Sequence, residues 1–331
     1  MKTSLLLSLL QYSTVHALAS SGATSAPNAV KPLLFSSHSQ RQTPNTVTLT
    51  YLEINSWLLS ANGVTILVDP LLEGPLDFGI PSLYQGKKRV IPPSGLTDAL
   101  PPIDGILITQ GLDDHAHVRT LQKIHSLDPT VPILAPPSAK GALKAAGFLS
   151  TDSSSQVQFL YHGDEAVIQS RSSKDNTSTL GVVATKGARV GPPWQRRENG
   201  YILRSESSTQ STTGKSSGPS IYIEPHVEFK ERELSRFAPV DVVISPISGQ
   251  GLPAFELVHG PSDTIRLLET LRPKYLVPMQ NGDIDIEGPV GSLVSEVGSP
   301  DEFQQRLAKS KLNDNMELVD VKPGEDIVLS F

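Results

Sequence analysis

Cysteine is missing from all 331 residues, which excludes disulfides, a thiolate nucleophile and cysteine-ligated zinc. Any metal in this protein must be held by nitrogen and oxygen. Positive charge is also scarce, since 28 Lys and Arg stand against 34 Asp and Glu, a net charge of -6. With a pI near 5.8 and no basic run longer than Lys87-Lys88-Arg89, the chain offers nucleic acid no surface. Gly-X-Gly-X-X-Gly does not occur, so dinucleotide binding has no motif to rest on. Gly214-Lys215-Ser216 lacks both the upstream glycine of a phosphate loop and a buried strand before it. The apolar run Leu5 to Leu10 is too short to span a membrane.

Acidic residues are absent ahead of Glu53. The segment opens with Lys2 and the run Leu5 to Leu10, then Ala17-Leu18-Ala19 gives a small-X-small pattern that a signal peptidase cuts. From Ser20 to about Pro44 it stays rich in Ser and Thr with Lys31 and Arg41, which suits an organellar transit sequence. Residues 1–45 are therefore expected to be a disordered targeting segment. Its signal-plus-transit arrangement addresses a plastid, as in algae with complex plastids; the alternative is a disordered tail on a secreted or cytosolic enzyme. Asn176-Thr177-Ser178 is a lone glycosylation sequon that decides nothing.

What is present from Thr46 onward is a series of short β-branched runs. They include Thr46 to Leu52, Val64 to Val68, Ile106 to Ile108, Ile133 to Ala135, Tyr201 to Leu203, Ile221 to Ile223, Val242 to Ile244 and Tyr275 to Val277. Helical spacing appears around Val118 to Ile124, Ala139 to Ala146, Ser262 to Leu271 and Pro300 to Ala308. With 38% hydrophobic residues, the chain is long enough for one large core and shows no sign of two. Arg204 to Pro219 is low in complexity and reads as a surface hairpin loop.

The most informative stretch is Gly105-Ile-Leu-Ile-Thr-Gln-Gly-Leu-Asp-Asp-His115-Ala-His117. An apolar strand runs into a loop carrying Asp113, Asp114, His115 and His117, a pattern that begins a metal site. The same pattern also describes a helix start in which Asp113 or Asp114 is the cap and the histidines sit on the first turn.

The segment resembles the metal loop of the metallo-β-lactamase-fold hydrolases, Thr-His-X-His-X-Asp-His after a buried strand. Here it reads Thr109-Gln110-Gly111-Leu112-Asp113-Asp114-His115. Gly63-Val-Thr-Ile-Leu-Val-Asp69-Pro70 is similar to the family's early strand, and Asp241-Val-Val-Ile-Ser-Pro-Ile and Lys274-Tyr-Leu-Val-Pro-Met-Gln280 to its two late strands. The match runs over roughly residues 46–331. It implies an α/β (α+β) fold, the four-layer αββα sandwich, as one domain over 46–331. Gly-Leu-Asp-Asp-His, Gly-Pro-Pro-Trp-Gln and Glu224-Pro225-His226 together resemble a plant and algal, lactonase-like branch.

The resemblance also shows where the site departs from the family. Gln110 and Leu112 replace the two leading histidines, and Gln280 stands where the last strand ends in a ligand. The metal set it implies is Asp114, His115 and His226, with His117, Glu224 or Gln280 completing it. The cofactor would be one divalent metal, zinc or alternatively iron or manganese. Asp113, Asp114 or Asp69 would serve the proton transfers of hydrolysis. Trp194, Arg197 and His259 are the candidates for a substrate pocket. The implied activity is hydrolysis of an ester, lactone or phosphoester in a small metabolite at a remodelled mononuclear site. The alternative is a catalytically inactive protein of the same fold with a ligand-binding or regulatory role, and the ligand set also permits an iron oxidoreductase.

Overall fold

A computed structural model describes residues 35, 38, 45–150, 156–172, 178–190, 194–206, 218–253, 255–312 and 315–331. The targeting reading falls almost wholly outside them, as do Asn176 and Thr177 of the sequon, Gly191 to Pro193, and 207–217 of the low-complexity loop. Phe35 and His38 are described and buried, with His38 Nδ1 2.6 Å from Ser60 Oγ. No helix among the described residues is long and apolar enough to cross a membrane.

Two seven-stranded sheets carry the fold. The first runs Asp326–Ser330, Thr46–Tyr51, Trp57–Ala61, Val64–Val68, Gly105–Leu107, Ile133–Ala135, Val157–Phe159. Its first four strands pair antiparallel, and from Val64–Val68 onward the pairing is parallel. The second runs Glu317–Leu318, Tyr275–Met279, Val242–Pro246, Ser220–Ile223, Asn199–Glu206, Thr179–Lys186, Glu165–Gln169.

Alternation decides which side chain goes where, because successive residues of a strand point to opposite faces. Trp57, Leu59, Ile66 and Val68 of the first sheet meet Leu203, Ile221, Ile223, Val242 and Ile244 of the second between the sheets. Leu58, Leu67 and Ile106 face outward onto the helices Val118–Leu127 and Lys140–Ala145, through Leu121, Ile124 and Leu143. Tyr222, Val243 and Leu276 face outward onto Pro261–Leu271 and Pro300–Lys309, through Leu267, Leu271 and Phe303. Both faces of each central strand are therefore apolar, and the strands read as unbroken β-branched runs. The layers are helix, sheet, sheet, helix, the sandwich expected from the sequence.

Two small sheets were not foreseen. Gln85–Lys87 pairs with Asp285–Glu287, and Gly249–Leu252 pairs with both Phe255–Val258 and Ser295–Val297. These strands are short and rich in Gly, Gln, Asp and Glu, so they lack the apolar period that marks a strand in sequence. They form a cap over one end of the sandwich. Glu53 ties it down, since its buried carboxylate accepts the backbone N–H groups of Arg89, Val90 and Ile91 at 2.8, 3.2 and 2.6 Å.

Trp57 is the largest side chain in the inter-sheet core, fully buried with its ring 4.6 Å from that of Tyr51. Trp57→Ala is expected to lower the unfolding free energy by about 3–5 kcal/mol in urea titration. A loss below about 1 kcal/mol would show that the two sheets do not close on this residue.

Candidate functional site

The strand Val64–Val68 ends at Asp69, and Gly105–Leu107 runs on into the loop that holds His115. These two parallel neighbours deliver an acid and an imidazole to one end of the sheet. Asp69 Oδ2 lies 2.8 Å from His115 Nδ1. The same carboxylate accepts the Thr109 N–H at 2.7 Å and the Thr109 hydroxyl at 2.5 Å. Ser56 donates to the Asp69 carbonyl at 2.7 Å. Asp69 is 1% exposed, so it positions His115 and cannot meet a substrate.

The other ring nitrogen faces the remaining polar groups of the site. His115 Nε2 is 3.2 Å from Asp114 Oδ2 and 3.2 Å from Asn55 Nδ2. The ring of His226, from the loop after Ser220–Ile223, lies 5.2 Å away between centroids. Residues more than a hundred positions apart thus meet at the end of the double sheet, as the resemblance requires. Burial alone would lower the His115 pKa, but the carboxylates of Asp114 and Asp69 on either nitrogen overcome it and push it up to about 10. Burial would likewise raise Asp114, and the His115 cation beside it holds that carboxyl below its ordinary value.

Four non-glycine residues with positive φ surround this point: Glu53 (65°), Ile54 (58°), Asp69 (43°) and Val227 (58°). For β-branched Ile54 and Val227 the left-handed conformation is costly, and strain of this kind concentrates at functional sites. Ile54 carries the chain to Asn55, and Val227 follows His226.

The remaining candidates are placed as follows. Glu224 sits behind His226, accepting the backbone N–H groups of His226 and Glu228 at 3.2 and 3.0 Å, while His226 itself faces the cavity. His117 is turned away from the cavity, 2.8 Å from Thr120 Oγ1 and 3.2 Å from Arg119. Burial, followed by the Arg119 cation, lowers it to about 3. Asp113 accepts the Val118 N–H at 3.4 Å at the helix start, and burial with the neighbouring Asp77 charge raises it to about 6. It does not line the cavity among the described residues.

Gln280 is exposed and opens on a different hollow. Its neighbour Asn281 reaches the cavity and donates to the Pro225 carbonyl at 3.0 Å. Trp194 is 85% exposed. Arg197 is paired with Glu228 and donates to the Gly187 carbonyl at 2.8 Å. His259 lies 3.0 Å from Asp263. None of these three lines the cavity, because each is spent on a partner or on solvent.

Sequence reasoning missed Asn55, Asp77, Gln250 and Asn281, all of which line it. A lone amide or carboxylate in a loop carries no spacing signature, and only the strand ends bring them together.

Among the described residues no three His, Cys, Asp or Glu side chains form a group able by themselves to hold a metal ion. Amides must complete the shell. Asn55 Oδ1, Gln110 Oε1 and Asp114 Oδ1 are each buried without any hydrogen-bond donor, and Asn55, Gln110, Asp114 and His226 line one cavity. An unsatisfied buried oxygen costs about 1–3 kcal/mol, and a cation in the shared cavity is the kind of partner that such oxygens accept. The clamp of Asp69 on His115 Nδ1 is the outer contact that orients a ligating imidazole. The residues therefore fit one oxygen-rich cation site, while Leu112 leaves no donor for a second.

A family profile described as a Beta-lactamase superfamily domain matches residues 48–280. A protein of Aeropyrum pernix named as a metal-dependent hydrolase is 23% identical over 292 residues, covering 86% of this chain and 98% of that protein. Among solved structures, a metallo hydrolase from the hyperthermophilic archaeon Ignicoccus hospitalis superposes with a TM-score of 0.54 at 18% identity, covering 86% of this chain and 99% of its own. The isothiocyanate hydrolase from Delia radicum gut bacteria gives a TM-score of 0.55 at 17% identity, covering 86% and 100%. At these identities the two structures establish the shared fold.

Glu198 lies behind the site, 5% exposed, with the Ser138 hydroxyl donating to Oε2 at 2.5 Å. Burial pushes its carboxyl up to about 7. A raised carboxyl binds its proton in the fold where the unfolded chain releases it. Its contribution is thus complete below about pH 4.5 and lost as pH rises through about 7. Glu198→Gln, neutral at every pH, should flatten the fall in unfolding free energy across that window. An unchanged slope would show the carboxyl to be ionised in the folded protein.

Proposed function

The chain belongs to the Beta-lactamase superfamily domain family, and from that membership we propose that it is a metal-dependent hydrolase of small molecules, working at one cation site built on Asp114, His115 and His226. The observation that carries this reading is the set of three donorless buried oxygens beside two imidazoles 5.2 Å apart. The relative from Aeropyrum pernix, named for metal-dependent hydrolysis and matched over nearly its whole length, supports it.

Asp114, His226 and His115, the last giving up its Nε2 proton as the ion binds, would hold the ion, with the amide oxygens of Asn55 and Gln110. Such a carboxylate, amide and imidazole set suits manganese or iron at least as well as zinc. The chemistry an ion supplies there when bound is Lewis acidity toward a carbonyl oxygen and toward water. Asp69 fixes the tautomer and direction of His115 through Nδ1. Asp77, which lines the cavity in an ion pair with Arg119 at 2.9 Å, is the carboxylate left to exchange protons once Asp114 is engaged. Asn281, holding the Pro225 carbonyl, keeps the His226 turn in place.

Metal analysis of the purified full chain should find about one equivalent of divalent ion. His115→Ala and His226→Ala should each reduce this below about a tenth, and Asp69→Asn should weaken affinity by about 10–100-fold while the fold survives. Full-chain protein with less than about a tenth of an equivalent, reloaded without effect, would remove the metal-dependent reading. The ligand-binding alternative on the same fold would then stand in its place.

A further inference from the structure

The cavity above the site has a composition that speaks to the substrate. Its floor is polar, formed by Asn55, Gln110, Asp114 and His226, but the walls are mainly apolar, with Ile54, Leu76, Phe78, Leu83, Leu252 and Ile284 among them and Asp77, Gln250 and Asn281 the polar exceptions. The cap strands unseen in the sequence supply much of that wall. At the mouth, Leu83 is 37% and Ile286 38% exposed, with Leu293 at 42% nearby. Large aliphatic side chains left in solvent at the rim of a hollow mark a binding surface for apolar matter.

Charge points the same way. No Lys or Arg lines the cavity among the described residues, whereas two carboxylates, Asp77 and Asp114, do. The nearest guanidinium, that of Arg119, is committed to Asp77 and to the Pro75 carbonyl. One divalent ion beside Asp114 would leave at most a single net positive charge. A phosphate dianion would enter low-dielectric walls with its charge unbalanced, and that is unfavourable.

We propose, resting on the hydrolase reading above, that the substrate is an uncharged ester or lactone bearing an apolar group, with the phosphoester option excluded. The carbonyl sits at the Asp114 and His226 floor and the apolar group runs along the walls toward the Leu83 rim. The cavity is about 160 Å³, the size of void that takes up a benzene-sized group, so the inner part of that group spans about six carbons. In the reaction, water adds to the carbonyl carbon and the bond from that carbon to the alkoxy oxygen breaks. One water proton passes to a cavity carboxylate and then to the leaving alkoxide, giving acid and alcohol without any redox partner.

Two measurements on the metal-loaded full chain test this separately from the hydrolase reading. In calorimetry with butanamide, pentanamide and hexanamide, affinity should rise about threefold to fourfold per methylene, and hexyl phosphate should bind at least tenfold more weakly than hexanamide. In turnover, 4-nitrophenyl hexanoate should exceed the acetate in kcat/KM by at least tenfold, with 4-nitrophenyl phosphate inert. Leu83→Lys, at the exposed rim where folding tolerates a charge, should remove the further gain of 4-nitrophenyl octanoate over the hexanoate, the length at which the chain passes the inner cavity and meets the rim.

Length-dependent amide binding without turnover of any ester would support the ligand class while overturning the hydrolytic reading. Turnover that ignores chain length, or that prefers the phosphate, would overturn the proposed substrate class and leave the hydrolase reading intact.

Discussion

The contact between Asp69 and His115 is the constraint around which this end of the molecule is arranged. It joins the ends of two neighbouring parallel strands, and it does so inside the protein, where a carboxylate is stable only if each oxygen is engaged. Thr109, Ser56 and the Leu107 carbonyl complete that network around Asp69. The backbone of Asp69 is held at φ 43° to make it possible. With Nδ1 committed, His115 can present only Nε2 toward Asp114, Asn55 and the His226 ring. A single buried hydrogen bond thus sets the direction of the group most central to the site.

A second constraint acts from above. The cap is tethered by Glu53 to the chain that delivers Ile54 and Asn55, so the apolar walls and the polar floor share one anchor. Lys88 reinforces it by donating to the Leu52 carbonyl at 2.6 Å. The outcome is a hollow with amides, a carboxylate and an imidazole at the bottom and aliphatic side chains toward the opening. The departures at Gln110 and Leu112 belong to the same arrangement. Leu112 lines the cavity as part of its apolar surface, and Gln110 contributes a buried oxygen to the floor.

The sandwich was legible through the family resemblance that the order of the strand runs carries, and its central strands, buried on both faces, read as unbroken apolar runs. The helices were legible because Leu121, Ile124, Leu267, Leu268 and Leu271 recur at helical spacing on the buried side. The cap was not legible, since Gln85–Lys87 and Asp285–Glu287 are held by cross-strand hydrogen bonds, and these leave no trace in hydrophobic order. The site was half legible: His115 and Asp114 follow a strand with a known pattern, but Asn55 and Asn281 are ordinary loop residues.

His226 marks the dividing line. A sequence can say that Glu224-Pro225-His226 follows a strand, but not which of the two side chains turns inward. The structure turns His226 into the cavity and folds Glu224 back onto the N–H groups of the turn.

The layer order came through the family resemblance, while by itself the sequence determined the absence of sulfur ligands and the placing of an acid and an imidazole after one buried strand. These depend on local period and composition. Only the tertiary structure decided which distant amides, carboxylates and aliphatic side chains share one cavity, because that depends on where loops from separate strands converge once the core has packed.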